Sequence, residues 1–152
     1  MCCFVKPGEV LLAWTDAKTI LSMPEAGPLF DLLSHTVDAK GRKLCNSQAA
    51  HPKHPICITE EDLLGYDFEA GEDQREAGER LAASYINFYL ANHCVLLPRF
   101  GDENDTVAAE ILGKCFPDRR ILPVDARVIL TGGGNIHCIT QQIPAKKRGN
   151  RL

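Results

Sequence analysis

The chain has 152 residues, the size of one ordinary domain, of which 45% are apolar and 24% are charged. The 17 Lys and Arg residues against 20 Asp and Glu residues give a net charge of −3, which argues against a basic surface for nucleic acid or an anionic membrane. No apolar run approaches the roughly 18–20 residues of a membrane helix, and the first residues lack a signal-peptide pattern. We therefore expect a soluble, cytoplasmic protein.

The seven cysteines predict free thiols in a reducing compartment, because no secretion signal accompanies them. The nearest approach to metal-ligand spacing is His51-x-x-His54-x-x-Cys57. Pro52 and Pro55 interrupt this pattern, so the three side chains cannot share one helical face, and a polar surface loop is preferred over a zinc site. We expect no metal and no cofactor.

The first part of the chain predicts a β-hairpin, a helix and a further strand. Two short β-type runs, residues 3–6 and 9–14, flank a Pro-Gly turn. Apolar residues then recur at helical spacing over 29–37, and Gly41 is a natural end for that helix. Residues 42–45 are the predicted third strand.

The same order of elements recurs roughly 84 residues later. Residues 83–90 and 94–97 are the predicted hairpin strands, joined by a turn at Asn92-His93. An amphipathic helix follows over 107–116, with N-cap candidates among 102–105, and residues 120–124 form the next strand.

A repeated hairpin–helix–strand unit buries its apolar face by stacking on its neighbours, so the pattern predicts an α/β fold made of similar units. The acidic segment between the units, residues 52–78, is predicted to be a long exposed connection. The basic end, residues 145–152, is interpreted as a solvated tail.

Three consecutive glycines, Gly132, Gly133 and Gly134, come shortly before Cys138. Glycines let the backbone come close to a ligand and adopt positive φ without strain. We expect Cys138 to begin a short strand and to present its sulfur at a site. The alternative is a buried free cysteine at a tight turn, because most free cysteines in proteins are buried.

The string GGGNIHCITQQIP, residues 132–144, closely resembles the catalytic signature of the agmatine deiminases, part of the wider family that includes bacterial-type peptidylarginine deiminases. Supporting matches are RLAASYINFY at 80–89, FGD at 100–102, CCFVKPG at 2–8 and WTD at 14–16. The resemblance covers nearly the whole chain. It implies a partial α/β propeller (pentein fold), with about two of five ββαβ modules in residues 1–144.

The resemblance implies a hydrolase that converts agmatine to N-carbamoylputrescine and ammonia, in putrescine and polyamine biosynthesis. Cys138 matches the nucleophile, whose thiolate attacks the guanidinium carbon and forms a covalent thioether. Trp14 could lie near the site, while Asn135 and the glycines at 132–134 shape the loop or bind substrate. The expected partner is agmatine or another guanidinium compound, without nucleic acid or membrane, and a homo-oligomer is left open.

The chain departs from the family pattern in one important respect. Family members carry a His-x-Asp motif just before the stretch matched by residues 1–4, and this sequence begins after it. We therefore expect the C-terminal part of a longer enzyme, active only when the missing half is supplied. The alternatives are a non-catalytic fragment or pseudo-enzyme, and a peptidyl-arginine deiminase. His137 is a poor substitute base, because neighbouring residues of a strand point to opposite faces.

Overall fold

The computed structural model describes residues 2–14 and 26–143. The basic tail at 145–152 lies outside these residues. The described elements, in chain order, are β1 (Cys2–Lys6), β2 (Glu9–Ala13), α1 (Ala26–Ser34), β3 (Cys45–Ala49), α2 (Glu60–Leu63), β4 (Tyr89–Ala91), β5 (Cys94–Arg99), α3 (Asn104–Cys115), β6 (Arg120–Asp125) and α4 (Arg127–Thr131). Within the described ranges no helix is long and apolar enough to cross a membrane.

The strands form two three-stranded mixed sheets with the orders β1-β2-β3 and β4-β5-β6. In each sheet the first two strands form an antiparallel hairpin, and the third pairs in parallel with the second. A parallel partner needs a crossover, which α1 provides in the first unit and α3 in the second. The predicted repeat of hairpin, helix and strand is thus confirmed, and the chain has an α/β fold.

The first helix and third strand differ from their predicted bounds. The helix ends at Ser34 instead of residue 37, and the strand begins at Cys45 instead of residue 42. The hydroxyls of Ser34 and Thr36 donate to carbonyls one turn back, at 2.8 and 2.7 Å, which satisfies the free end of the helix. Gly41, at φ 75°, belongs to the turn between Val37 and Lys43, which form a β-bridge, and not to the helix end.

The predicted strand at 83–90 shortens to residues 89–91. The residues before it form a turn instead, in which the N–H of Asn87 donates to the Ser84 carbonyl at 3.2 Å. The side chains of Tyr85, Ile86 and Phe88 are each at most 5% exposed and belong to the core. Phe88 packs edge-to-face on Phe116, with ring centroids 5.6 Å apart.

One hydrophobic cluster joins the two units. It contains residues of the first sheet, such as Leu11, together with Val95 and Leu97 of β5 and Leu112 of α3. All four side chains are at most 2% exposed. The units are therefore held together by shared apolar burial, as expected for a repeat whose faces stack on one another.

The prediction that residues 52–78 form an exposed connection is wrong for the first part of this segment. Ile58 is 2% exposed and packs in a second apolar cluster with Leu81, Ala83 and Leu130. A capping box between Thr59 and Asp62 then starts α2. The apolar residue and the capping pair were the sequence signals for order here.

The His51-x-x-His54-x-x-Cys57 pattern is not a purely polar surface loop either. His51 is buried, and its Nδ1 lies 3.2 Å from the carbonyl oxygen of Pro52. Burial lowers the pKa of His51. Within residues 2–14 and 26–143, no cluster of three His, Cys, Asp or Glu side chains could hold a metal ion.

The carboxylate of Asp102 ties this segment to the start of α3. It accepts backbone N–H groups of Lys53 at 3.0 Å, His54 at 3.1 Å and Asn104 at 2.9 Å. Burial disfavours its charged form, but these backbone hydrogen bonds outweigh burial and hold the pKa of Asp102 below its ordinary value. The N-cap position itself is Glu103, which makes no side-chain cap bond.

We expect Asp102 to make the folding stability depend on pH in acid. Because its pKa is lower folded than unfolded, its contribution is complete above about pH 4 to 5 and is lost as the pH falls through the folded pKa. Urea unfolding between pH 2 and 6 should show a steeper acid loss for the natural chain than for Asp102→Asn. Equal pH dependence in the two proteins would contradict this role.

Candidate active site

Cys138 lies in a turn that follows α4, so the prediction that it begins a strand is wrong. The carbonyl oxygen of Asn135 accepts the N–H groups of Cys138 at 2.9 Å and Ile139 at 3.2 Å. The side-chain Oδ1 of Asn135 accepts the N–H of Ile136 at 2.7 Å. These local bonds close the backbone on itself, so no strand ladder forms here.

The turn is anchored from inside by two neighbouring residues. Asn135 is 1% exposed and Ile136 is 3% exposed. Asn135 thus lies beneath the turn and shapes it, with its carbonyl and side-chain oxygens as acceptors. Its Nδ2 is buried and has no hydrogen-bond partner among the described residues.

The three glycines before the turn have different structural roles. Gly132 ends α4 as its C-cap residue. Gly133 has φ 85°, a conformation that favours glycine. A Cβ on Gly134 would lie 3.0 Å from Cβ of Cys138, so the absent side chain makes room for the cysteine.

The thiol of Cys138 is exposed, as expected for a presented sulfur and not for a core cysteine. Nδ2 of Asn87 lies 3.4 Å from its Sγ. Two hydrogen bonds lower the pKa of Cys138 below its ordinary value: the one from the Asn87 side chain has the larger effect, and the backbone bond at Asn135 has the smaller. A lowered pKa raises the fraction of thiolate, the nucleophilic form of cysteine.

Asn87 is the site residue that the sequence reasoning missed. It lies within the RLAASYINFY string, but its spacing to Cys138 of 51 residues gives no local signal for a contact. The fold makes the contact, because the residues before β4 and the turn after α4 come together.

The histidines near the site have different surroundings. His137 is exposed in the same turn as Cys138, so the strand-based argument about its orientation does not apply. His93 lies in the β4–β5 turn with φ 64°. Among the hydrogen bonds of the described ranges, Cys138 Sγ pairs with Asn87 and not with a histidine.

Trp14 follows β2 and packs edge-to-face on Phe30, with ring centroids 5.9 Å apart. It lines a cavity of about 310 Å³ together with His51 and Asn104. No residue of the 132–138 loop lines that cavity. Trp14 and Cys138 therefore do not line the same cavity in the part of the chain that the structure describes.

The chain matches the family model of the Porphyromonas-type peptidyl-arginine deiminases over residues 1–144. Proteins named "Putative agmatine deiminase" from Selenomonas ruminantium and Latilactobacillus sakei are each 53% identical over 95% and 93% of this chain. The chain spans 39% of the length of each of these relatives.

A solved structure, the agmatine deiminase of Enterococcus faecalis, superposes with a TM-score of 0.88 at 38% sequence identity. It covers 94% of this chain, which in turn covers 39% of it. The resemblance read from the sequence is confirmed. The chain therefore belongs to the Porphyromonas-type peptidyl-arginine deiminase family.

Proposed function

We propose that this chain carries the nucleophile of an agmatine deiminase, with Cys138 as the attacking residue. The observation that carries the proposal is an exposed thiol of lowered pKa on a turn approached through three glycines. The high identity to relatives named for agmatine deimination supports the substrate. The activity belongs to a cytoplasmic, putrescine-forming route.

The chemistry begins when the thiolate of Cys138 forms a bond to the guanidinium carbon of agmatine. The tetrahedral intermediate then expels one nitrogen as ammonia, after that nitrogen has gained a proton. Water adds to the carbon of the resulting amidino-thioether, and the carbon–sulfur bond breaks. The products are N-carbamoylputrescine and the regenerated thiolate, so no oxidant and no cofactor is consumed.

Two tasks in this reaction need groups other than the Cys138 thiol. A cation must be held by carboxylates, and protons must move to the leaving ammonia and from the attacking water. We propose that further ββαβ modules of a five-module propeller supply them, including the His-x-Asp motif. The chain's coverage of 39% of its relatives leaves room for about three such modules.

We propose agmatine, and not peptidyl-arginine, as the substrate. The family model bears the peptidyl-arginine name, but the two curated relatives at 53% identity and the solved structure at 38% bear the agmatine name. A chimera tests the choice: residues 1–143 of this chain replace the matching part of the Selenomonas ruminantium protein. Ammonia release from agmatine, and not from an arginine-containing peptide, is expected.

The 152-residue chain alone serves as the matched control for the chimera. If the other modules are needed, the chain alone should release no ammonia above a buffer blank while the chimera does. An inactive chimera that retains a cooperative thermal transition would favour the non-catalytic alternative. Turnover of the peptide but not of agmatine would reverse the substrate choice.

Gly134→Ala in the chimera is expected to reduce agmatine turnover by about 10- to 100-fold. The added Cβ would lie 3.0 Å from Cβ of Cys138, so the turn must shift, and small displacements of a reacting atom are costly. Gly113→Ala is the matched control, because its Cβ would meet nothing within 4 Å. Equal turnover in the two variants would show that close packing at Gly134 is unimportant.

A further inference from the structure

The side chain of Asn87 makes two different contacts with the turn that carries Cys138. Its Oδ1 accepts the backbone N–H of His137 at 2.8 Å, and its Nδ2 lies 3.4 Å from Sγ of Cys138. The main-chain oxygen of Asn87 also accepts the His137 N–H, at 3.3 Å. One residue therefore holds both the backbone beside the cysteine and the sulfur itself.

The backbone contact determines which end of the amide faces the sulfur. Only the amide oxygen can accept the N–H of His137, so the amide nitrogen is directed to Sγ. The alternative contact from Sγ to Oδ1 is longer, at 3.8 Å. An N–H donor binds an anionic acceptor more strongly than a neutral one, so this arrangement favours the thiolate over the thiol.

The core holds the backbone of Asn87 in place. Its chain neighbours Ile86 and Phe88 are both 5% exposed, and its own N–H donates to the Ser84 carbonyl at 3.2 Å. Asn87 immediately precedes Phe88, which leads into β4. The donor thus projects from the segment before β4, which the core holds in place, onto the turn that carries Cys138.

We infer that Asn87 is a positioning residue, which fixes the place of the Cys138 sulfur and stabilises its thiolate by donating a hydrogen bond from Nδ2. The inference rests on the proposed role of Cys138 as the nucleophile. It adds to the site a polar residue from the RLAASYINFY string, 51 positions before the cysteine. The RLAASYINFY segment therefore contributes a side chain to the site as well as packing the core.

The test measures how the alkylation rate of each cysteine depends on pH in the 152-residue chain. Iodoacetamide is applied in short pulses from pH 5 to 10, and labelled peptides are quantified by mass spectrometry. In Asn87→Ala the rate midpoint of Cys138 should move to higher pH, and its rate at pH 7 should fall about threefold to tenfold. The exposed Cys45 should keep its profile and is the internal reference.

Asn87→Asp separates the donor from the shape of the side chain. It keeps an oxygen for the His137 N–H but replaces the donor with a negative charge, so the midpoint should rise further than in Asn87→Ala. Asn92→Asp places the same charge at the exposed β4–β5 turn and should leave Cys138 unchanged. Each variant must first show a cooperative thermal transition, and Asn87→Ser replaces the alanine variant if that variant does not fold.

An unchanged Cys138 midpoint in folded Asn87→Ala, or in Asn87→Ser in its place, would overturn the inference. A rise in Asn87→Asp alone would also overturn it, because added charge would then be the whole effect. Alkylation needs no substrate, so the result is independent of deiminase activity. A shifted midpoint together with an inactive chimera would refute the proposed function and retain the Asn87 contact.

Discussion

Cys138→Ala in the chimera is expected to lower agmatine turnover by about 10⁴-fold or more, while leaving the thermal transition nearly unchanged. Removing a catalytic nucleophile has effects of this size in other covalent hydrolases. The cysteine is exposed, so its replacement creates no cavity in the core. Ammonia release at saturating agmatine is the measurement.

Cys45→Ala is the matched control for this experiment, because it removes another exposed thiol. It should retain the turnover of the unmodified chimera. Substantial ammonia release by the Cys138→Ala protein would show that a different group attacks the guanidinium carbon.

Asp105→Ala is expected to reduce the free energy of unfolding by about 3 kcal/mol or more. The Asp105 carboxylate accepts the hydroxyl of Tyr85 at 2.8 Å and the N–H groups of Phe100, Gly101 and Asp102 at 3.1, 2.9 and 3.2 Å. Burial raises the pKa of Tyr85, and the hydrogen bond to this carboxylate raises it further, so the Tyr85 hydroxyl remains a proton donor. Alanine would leave these donors without their acceptor.

Urea unfolding near neutral pH measures this loss. Asp105→Asn keeps one acceptor oxygen and should lose less stability than the alanine variant. The exposed Asp118 provides the matched control, and Asp118→Ala should change stability by less than about 0.5 kcal/mol. A loss for Asp105→Ala as small as that of Asp118→Ala would show that the four contacts contribute little.

The repeated fold could be predicted because its signals are local. Alternation of apolar residues around turn residues marked each hairpin, and the helical spacing over 107–116 marked α3. The limits of α1 could not be predicted in the same way. They depend on hydroxyls that bond back to the last helical turn, and on a bridge between Val37 and Lys43.

The residues of the site could be predicted from the sequence motif, but their three-dimensional arrangement could not. The glycines and Cys138 stand together in the sequence, so their association needed no fold. The conformation of Cys138 was predicted wrongly, because the two N–H bonds to the Asn135 carbonyl favour a turn over an extended chain. Asn87 was missed because its contact depends on how the segment before β4 packs against the turn after α4.

If Cys138 is the nucleophile, a covalent intermediate must form on its sulfur during turnover. The chimera is mixed with agmatine and quenched in acid during turnover, and its peptides are analysed by mass spectrometry. We predict that the peptide containing Cys138 gains the mass of agmatine minus ammonia, and that Cys138→Ala shows no such gain. Continued turnover with an unmodified Cys138, or with the adduct on another cysteine, would show that Cys138 is not the nucleophile.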